Sequence, residues 1–183
     1  ALGGRGAGVR GALWGRLAGR RQLDGGALGG DVVAVRGQLE RVLHVTPGAG
    51  IAVMVNSHDW LGELRLIEFL RDTGKHVTIP YMLAKDSVQV RLDRGLSFTE
   101  FSYMLLQAYD FAHLHGTMGV ELQMGGADQW GNITAGLELI RRLAGAEEGA
   151  EAAHALAYKL LLSPSGAKFG KSEGGESVWL DPQ

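Results

Sequence analysis

The sequence contains no cysteine, so a disulfide framework and a thiolate metal site are both excluded. Charge of one sign is also scarce. Eighteen Lys and Arg stand against 20 Asp and Glu, a formal net charge of -2. Bulk charge therefore excludes a strongly basic nucleic-acid binder, while a local patch for RNA stays open. No apolar run is long enough to span a bilayer. The first residues lack the compact apolar stretch of a secretory signal. What is present is 183 residues, 45% of them apolar, the size of one ordinary domain with material for a core. A soluble protein of a reducing compartment is expected.

Glycine is abundant and uneven: 11 of the first 30 residues are Gly and five are Arg. Residues 1–30 carry one acidic residue, Asp24, and no sustained period, so they read as loop or disorder. From Asp31 the character changes, which sets a boundary between 1–30 and 31–183. Val32, Val33, Val35 and Leu39 recur near helical spacing. Ile51 to Asn56 reads as a buried parallel strand after the turn signal Pro47-Gly48. Leu61 to Asp72 reads as a helix with Leu64, Ile67 and Leu70 on one face and Gly74 as its stop. Tyr81 to Leu92 reads as another, closed by Gly95. Ser97-Phe-Thr-Glu100 matches a capping box opening a helix to about His115, with Phe101, Leu105, Ala108 and Ala112 as its apolar face. Gly119 to Met124 is strand-like, Thr134 to Leu143 helical, and Tyr158 to Leu162 regular but of open type. Alternating strands and helices predict an α/β domain around a parallel sheet.

Three segments hold residues suited to chemistry. On the capped helix Tyr103, Gln107 and Asp110 fall within roughly 60° of one another, opposite the apolar face. Such a stripe can bind a polar small molecule, or it is a solvated helix face. Next, Gln123-Met-Gly-Gly-Ala-Asp-Gln-Trp-Gly-Asn132 joins the end of a strand to a helix start, where ligands bind in open α/β sheets. Asp128 can accept from a ribose and Gln129 can bind an amine or hydroxyl; the plain alternative makes Asp128 a helix cap. Third, Lys168 and Lys171 sit three apart in the loop Ser165-Gly-Ala-Lys-Phe-Gly-Lys-Ser172, able to swing over a polyphosphate or simply mobile at the surface. The Walker A spacing is absent, as is a Gly-x-Ser-x-Gly elbow. His113 and His115 are the only close histidine pair and lack an acidic third ligand, so no metal site is expected.

Taken in order, these segments resemble the bacterial and organellar tyrosyl-tRNA synthetases of class I. The resemblance rests on Phe98 to Phe111, on Gly125-Gly-Ala-Asp-Gln-Trp-Gly-Asn-Ile-Thr-Ala-Gly136, and on Lys168-Phe-Gly-Lys-Ser172 with Val178-Trp-Leu-Asp-Pro182. It runs from about Gln38 to Gln183. It implies a Rossmann-like catalytic domain that makes tyrosyl-adenylate from tyrosine and ATP and passes the tyrosyl group to its tRNA. By position, Tyr103 and Gln107 resemble contacts to the substrate amine, and Asp110 the partner of the phenol hydroxyl. Gln129 would sit beside the tyrosine, Gly126 and Asp128 beside the adenylate. Lys168, Lys171 and Ser172 are similar to the family's KMSKS loop and would be the catalytic residues. ATP would enter with Mg2+, with no tightly bound cofactor. The resemblance further implies a homodimer through the region near Phe98 to Phe101, and a location in the cytoplasm or an organelle matrix.

The likeness has gaps. The family's opening strand and HIGH-like motif would precede Ala1, so the chain reads as a fragment of the catalytic domain, ending just after the KMSKS-like loop. Gly11-Ala-Leu-Trp-Gly-Arg16 lies where the family has Gly-Asp-Pro-Ser-Gly-Arg/Lys, and Ala12 replaces an aspartate that helps bind the amine. Residues 1–30 thus read as degenerate, by sequence error or decay. Two other readings stay open: a tryptophanyl relative of the same fold, and a truncated, non-catalytic paralogue that dimerises or binds nucleotide.

Overall fold

The computed structural model describes residues 25–41, 52–93, 95–145, 152–160 and 162. They fall into two compact units. One is described over Ser57–Tyr158; the other holds residues 25–41, 52–56, 159–160 and 162. Packing thus divides the chain elsewhere than composition does, because glycine content changes at residue 31 without a break in local structure there.

In the second unit a helix, α1, spans Gly25–Leu39 and carries an Arg36–Glu40 ion pair at 2.7 Å one turn apart. It begins six residues before the expected boundary, so Gly25 to Gly30 are helical rather than loop. The helical spacing of Val32 to Leu39 holds, although Val33 and Val35 are exposed. Of the strand expected at Ile51 to Asn56, Ile51 lies outside the described residues, and residues 52–56 have no regular structure. A β-branched run becomes a strand only where a ladder partner lies alongside, and the described residues offer none.

The first unit opens with α2 (His58–Leu61) and α3 (Leu66–Asp72), followed by a 3-10 turn at Gly74–His76. The single helix expected over Leu61 to Asp72 is therefore broken around Gly62 to Arg65. Leu64 drops out of its face, and Ile67 and Leu70 are exposed. Helices α4 (Ile79–Leu83) and α5 (Asp86–Leu92) replace the one helix expected from Tyr81. Thr78 caps α4 through its side chain, and Pro80 occupies the first turn, where it costs no hydrogen bond.

The long helix α6 (Phe98–Met118) starts at the expected capping box, with the Ser97 and Glu100 side chains each bonded to the other's backbone N–H. It runs three residues past His115 and ends at Gly119 in the left-handed conformation. Strand β1 (Leu122–Gly126), a 3-10 turn at Ala127–Gln129 and helix α7 (Trp130–Ala144) follow. Strand β2 (His154–Tyr158) lies parallel to β1 in register from Leu122 with His154 to Gly126 with Tyr158. This β1–α7–β2 unit is the α/β element among the described residues. Of the segment of open type, Tyr158 to Leu162, only Tyr158 belongs to this strand, and residues 159–160 have no regular structure.

The core lies where α6 crosses α7. Met82, Met104, Ala108, Ala135 and Leu139 are buried together, with Phe101, Leu105, Tyr109 and Ala112 packed against them. The apolar face expected for α6 is therefore its packing face. Gly136 permits the close crossing: a Cβ there would lie 2.8 Å from Cδ1 of Phe111. Arg142 anchors α7 further, donating to the carbonyl of His76.

Candidate active site

Helix α6 presents Tyr103, Gln107 and Asp110 on one stripe, as their spacing requires. This stripe is not a solvated face: Gln107 and Asp110 are 7% and 6% exposed, and Tyr103 is half-buried. A 21-residue helix with polar side chains buried opposite its apolar face must be covered on both sides. Trp60 of α2 supplies part of that cover. Its indole N–H donates to Oδ1 of Asp110 at 2.9 Å. The Trp60 ring stacks on the imidazole of His113, one turn along α6, with centroids 4.7 Å apart.

Among the described residues, two buried amide oxygens have no hydrogen-bond partner, Oε1 of Gln107 and Oε1 of Gln123. A buried acceptor left unmade costs about 1–3 kcal/mol, so both suit a ligand that brings donors. Gln123 sits in β1 with an inverted pattern. It is 8% exposed, whereas its apolar neighbours Leu122 and Met124 are exposed.

The loop after β1 is tightly built. A Cβ on Gly125 would come within 3.3 Å of both Gln129 and Ile133, so the glycine lets the strand end lie against the start of α7. Gln129 is half-buried and its Oε1 accepts from Asn132 at 3.3 Å. Asp128 is exposed and sits in the 3-10 turn, and Gly126 precedes it. The first residue before α7 is Gln129, which makes no side-chain cap bond. Asp128 lies inside the 3-10 turn, one residue before that N-cap position.

Histidine chemistry is local. Nδ1 of His115 lies 3.0 Å from the carbonyl of Val120, and His113 is taken up by its aromatic neighbours. Among the described residues no three His, Asp or Glu side chains converge as metal ligands, and no helix is long and apolar enough to cross a membrane. Lys168, Lys171 and Ser172 lie outside the described residues, as do Ala12 and the rest of residues 1–24.

Trp60, Gln123 and the contact made by His113 escape a reading of residue types in order. A half-buried tryptophan needs a partner for its N–H, but its sequence position does not say which. The polar-in, apolar-out order of β1 is a signal that could have marked Gln123.

The described residues thus bring together a parallel β–α–β unit, a buried polar stripe on a neighbouring helix and a glycine-lined strand end. The chain belongs to the class I tRNA synthetases for tryptophan and tyrosine, whose family model matches residues 30–183. Curated proteins similar to it include tyrosine–tRNA ligases. It is 50% identical over its full length to the tyrosine–tRNA ligase of Roseiflexus castenholzii, and 52% identical over 98% of its length to that of Anaeromyxobacter dehalogenans. It spans 42% and 41% of those proteins. Among solved structures it is similar to the truncated mitochondrial tyrosyl-tRNA synthetase of Coccidioides posadasii. The TM-score is 0.69 at 25% identity, covering 98% of this chain and 52% of that one. The Aspergillus nidulans counterpart gives 0.65 at 27% identity, covering 90% and 52%. The α/β reading of the fold is thereby borne out as that of a class I synthetase catalytic domain.

Proposed function

We propose that the protein joins tyrosine to its tRNA through a tyrosyl-adenylate. The carrying observation is the buried polar stripe of α6, where Asp110 accepts the Trp60 N–H and Gln107 holds an unpartnered amide oxygen. An ammonium group satisfies Gln107, together with Tyr103. A phenol hydroxyl donates to Asp110. Phenylalanine lacks that hydroxyl and forfeits the hydrogen bond to Asp110, which is a strong filter against it. Tryptophan offers no hydroxyl at that point, which favours the tyrosine reading over its sister enzyme.

Gln129 then lies beside the tyrosine, and Gly126 and Asp128 beside the ribose of ATP. A tyrosine carboxylate oxygen attacks the α-phosphorus. A C–O–P linkage forms, the α–β anhydride breaks and pyrophosphate leaves with its electron pair. No proton need move in that step, so the work is positioning and charge stabilisation. Lys168, Lys171 and Ser172 hold the departing pyrophosphate, and Mg2+ enters as part of the ATP complex. The tyrosyl group then passes to the tRNA. Phe98, 79% exposed, supports a homodimer through the segment Phe98 to Phe101, since a large apolar side chain at a helix start seeks cover. The cytoplasm or an organelle matrix, where tRNA and ATP are present, suits this reading.

The test is tyrosine-dependent exchange of labelled pyrophosphate into ATP, with Lys171→Ala as control. Exchange above the control supports the proposal. Binding of tryptophan in preference to tyrosine would move the protein to the sister enzyme. Folded protein without exchange or tyrosine binding would favour a non-catalytic paralogue.

A further inference from the structure

We propose that His113 is a positioning residue for the Asp110 carboxylate, acting through Trp60. This rests on the reading that Asp110 receives the phenol of tyrosine. Trp60 belongs to α2, a four-residue helix with no fully buried residue, and its half-buried ring needs contacts that fix its tilt. Two contacts do so. One is the hydrogen bond to Asp110 at 2.9 Å, the other the stack on His113, with planes only 14° apart. An indole N–H lies in the plane of its ring. The plane of His113 therefore confines the directions in which that N–H can point, and Asp110 lies three residues before His113 on the same helix face.

His113 is itself held. Tyr109 lies against it at 6.3 Å with planes 27° apart, and Phe69 of α3 meets Tyr109 edge-on at 5.7 Å. The order Phe69, Tyr109, His113, Trp60, Asp110 thus runs from α3 across α6 to a carboxylate of the site. Each ring is packed on the next, so tilting the imidazole tilts the donor. The imidazole needs no charge for this. It acts as a flat face, which a phenyl ring supplies and an aliphatic side chain does not.

The experiment uses the protein at its natural full length and compares His113→Leu, which keeps apolar bulk without a flat face, with His113→Phe. Pyrophosphate exchange gives KM for tyrosine, KM for ATP and kcat. His113→Leu is expected to raise KM for tyrosine on the order of 3- to 10-fold, the range a stacked aromatic contact carries. It should also narrow the preference for tyrosine over phenylalanine and leave KM for ATP and kcat near the unmodified values. His113→Phe is expected to restore all of these. Near-ultraviolet circular dichroism supplies a readout that needs no substrate. The Trp60 band, defined by difference from Trp60→Phe, should collapse in His113→Leu and persist in His113→Phe.

An unchanged Trp60 band in folded His113→Leu overturns the inference. So does a changed band with an unchanged KM for tyrosine, or equal losses in both variants. A protein that activates no tyrosine sinks the functional reading instead, and the Trp60 band still decides whether His113 orients the indole.

Discussion

Replacing Gly136 by alanine is expected to destabilise the crossing of α6 and α7, although alanine is the better helix former. The new Cβ would stand 2.8 Å from Cδ1 and 3.2 Å from Cβ of Phe111, where relaxed carbon contacts need about 3.5–4.0 Å. The ring carbon could swing aside, but the Phe111 Cβ is tied to the α6 backbone, and the residue is 1% exposed. The helices must then separate by several tenths of an ångström along Met104, Ala108, Ala135 and Leu139. Overpacking of this kind costs about 1–3 kcal/mol, against a helix-propensity gain of about 1 kcal/mol. The net loss should be about 1 kcal/mol, at most 2. Gly116 is the matched control: it lies in α6 with nothing within 4 Å of its missing Cβ. Gly116→Ala should gain the propensity term alone, about 0.5–1 kcal/mol. Amide hydrogen exchange in α6 and α7 reads both effects locally. Protection should fall roughly 5- to 30-fold in Gly136→Ala and rise in Gly116→Ala. Equal protection in the two variants would refute the close-packing argument.

Three further outcomes follow from the same geometry. Asp110→Asn keeps the shape and removes the charge that accepts the Trp60 N–H. Tyrosine binding should weaken by about 10- to 100-fold, the worth of a hydrogen bond to a charged group, while ATP binding stays put; titration calorimetry with both ligands checks this. Gln123→Met removes a buried acceptor without a partner, so thermal unfolding should shift up by the equivalent of about 1 kcal/mol, and unchanged or lowered stability would show that the oxygen is satisfied. Glu138 accepts from Arg141 and Arg142, which hold its carboxyl down from 4.5 to about 2. A depressed carboxyl stabilises the fold above its unfolded pKa, and that contribution drains away as pH falls from about 4.5 toward 2. Because the pair is partly solvated, its worth at neutral pH is about 1 kcal/mol. The gap in urea midpoint between the unmodified protein and Glu138→Gln should close over that interval and stay constant above it.

The parts of the fold legible in the sequence are those fixed by contacts within a few residues. The Ser97 and Glu100 box starts α6 because both partners lie within one turn. The sequence reading puts its end too early, at about His115, and takes Gly119 into the strand, although the left-handed glycine stops the helix for a local reason. Helix α7 follows from its periodicity, although it opens at Trp130, before the expected Thr134, and the strand before it is Leu122–Gly126 rather than Gly119 to Met124. The misread parts depend on distant neighbours. Ile51 to Asn56 has the composition of a strand, but a strand exists only through its partner. The pattern Leu64, Ile67 and Leu70 suits a helix face, yet the chain breaks before Arg65 and leaves Ile67 and Leu70 exposed. Glycine content misled at Gly25 to Gly30, since a weak helix former still joins a helix that continues through Asp31 to Leu39.

The site divides along the same line. Spacing alone puts Tyr103, Gln107 and Asp110 on one stripe, because 3.6 residues per turn is a property of the backbone. Whether that stripe meets water or protein depends on what covers it. The cover includes Trp60, fifty residues away in sequence, arriving on a four-residue helix with no pattern of its own. The Trp60 N–H donates to Asp110 at 2.9 Å, so the two act together, although only Asp110 stands in a readable motif. Gln123 is the converse case. Alternation along Leu122 to Gly126 predicts apolar residues inward, and the strand does the opposite. A strand that buries its amide and exposes Leu122 and Met124 is placed by something other than core packing. The Gln123 amide oxygen, like that of Gln107, has no hydrogen-bond partner among the described residues, so each position costs stability unless a donor is supplied.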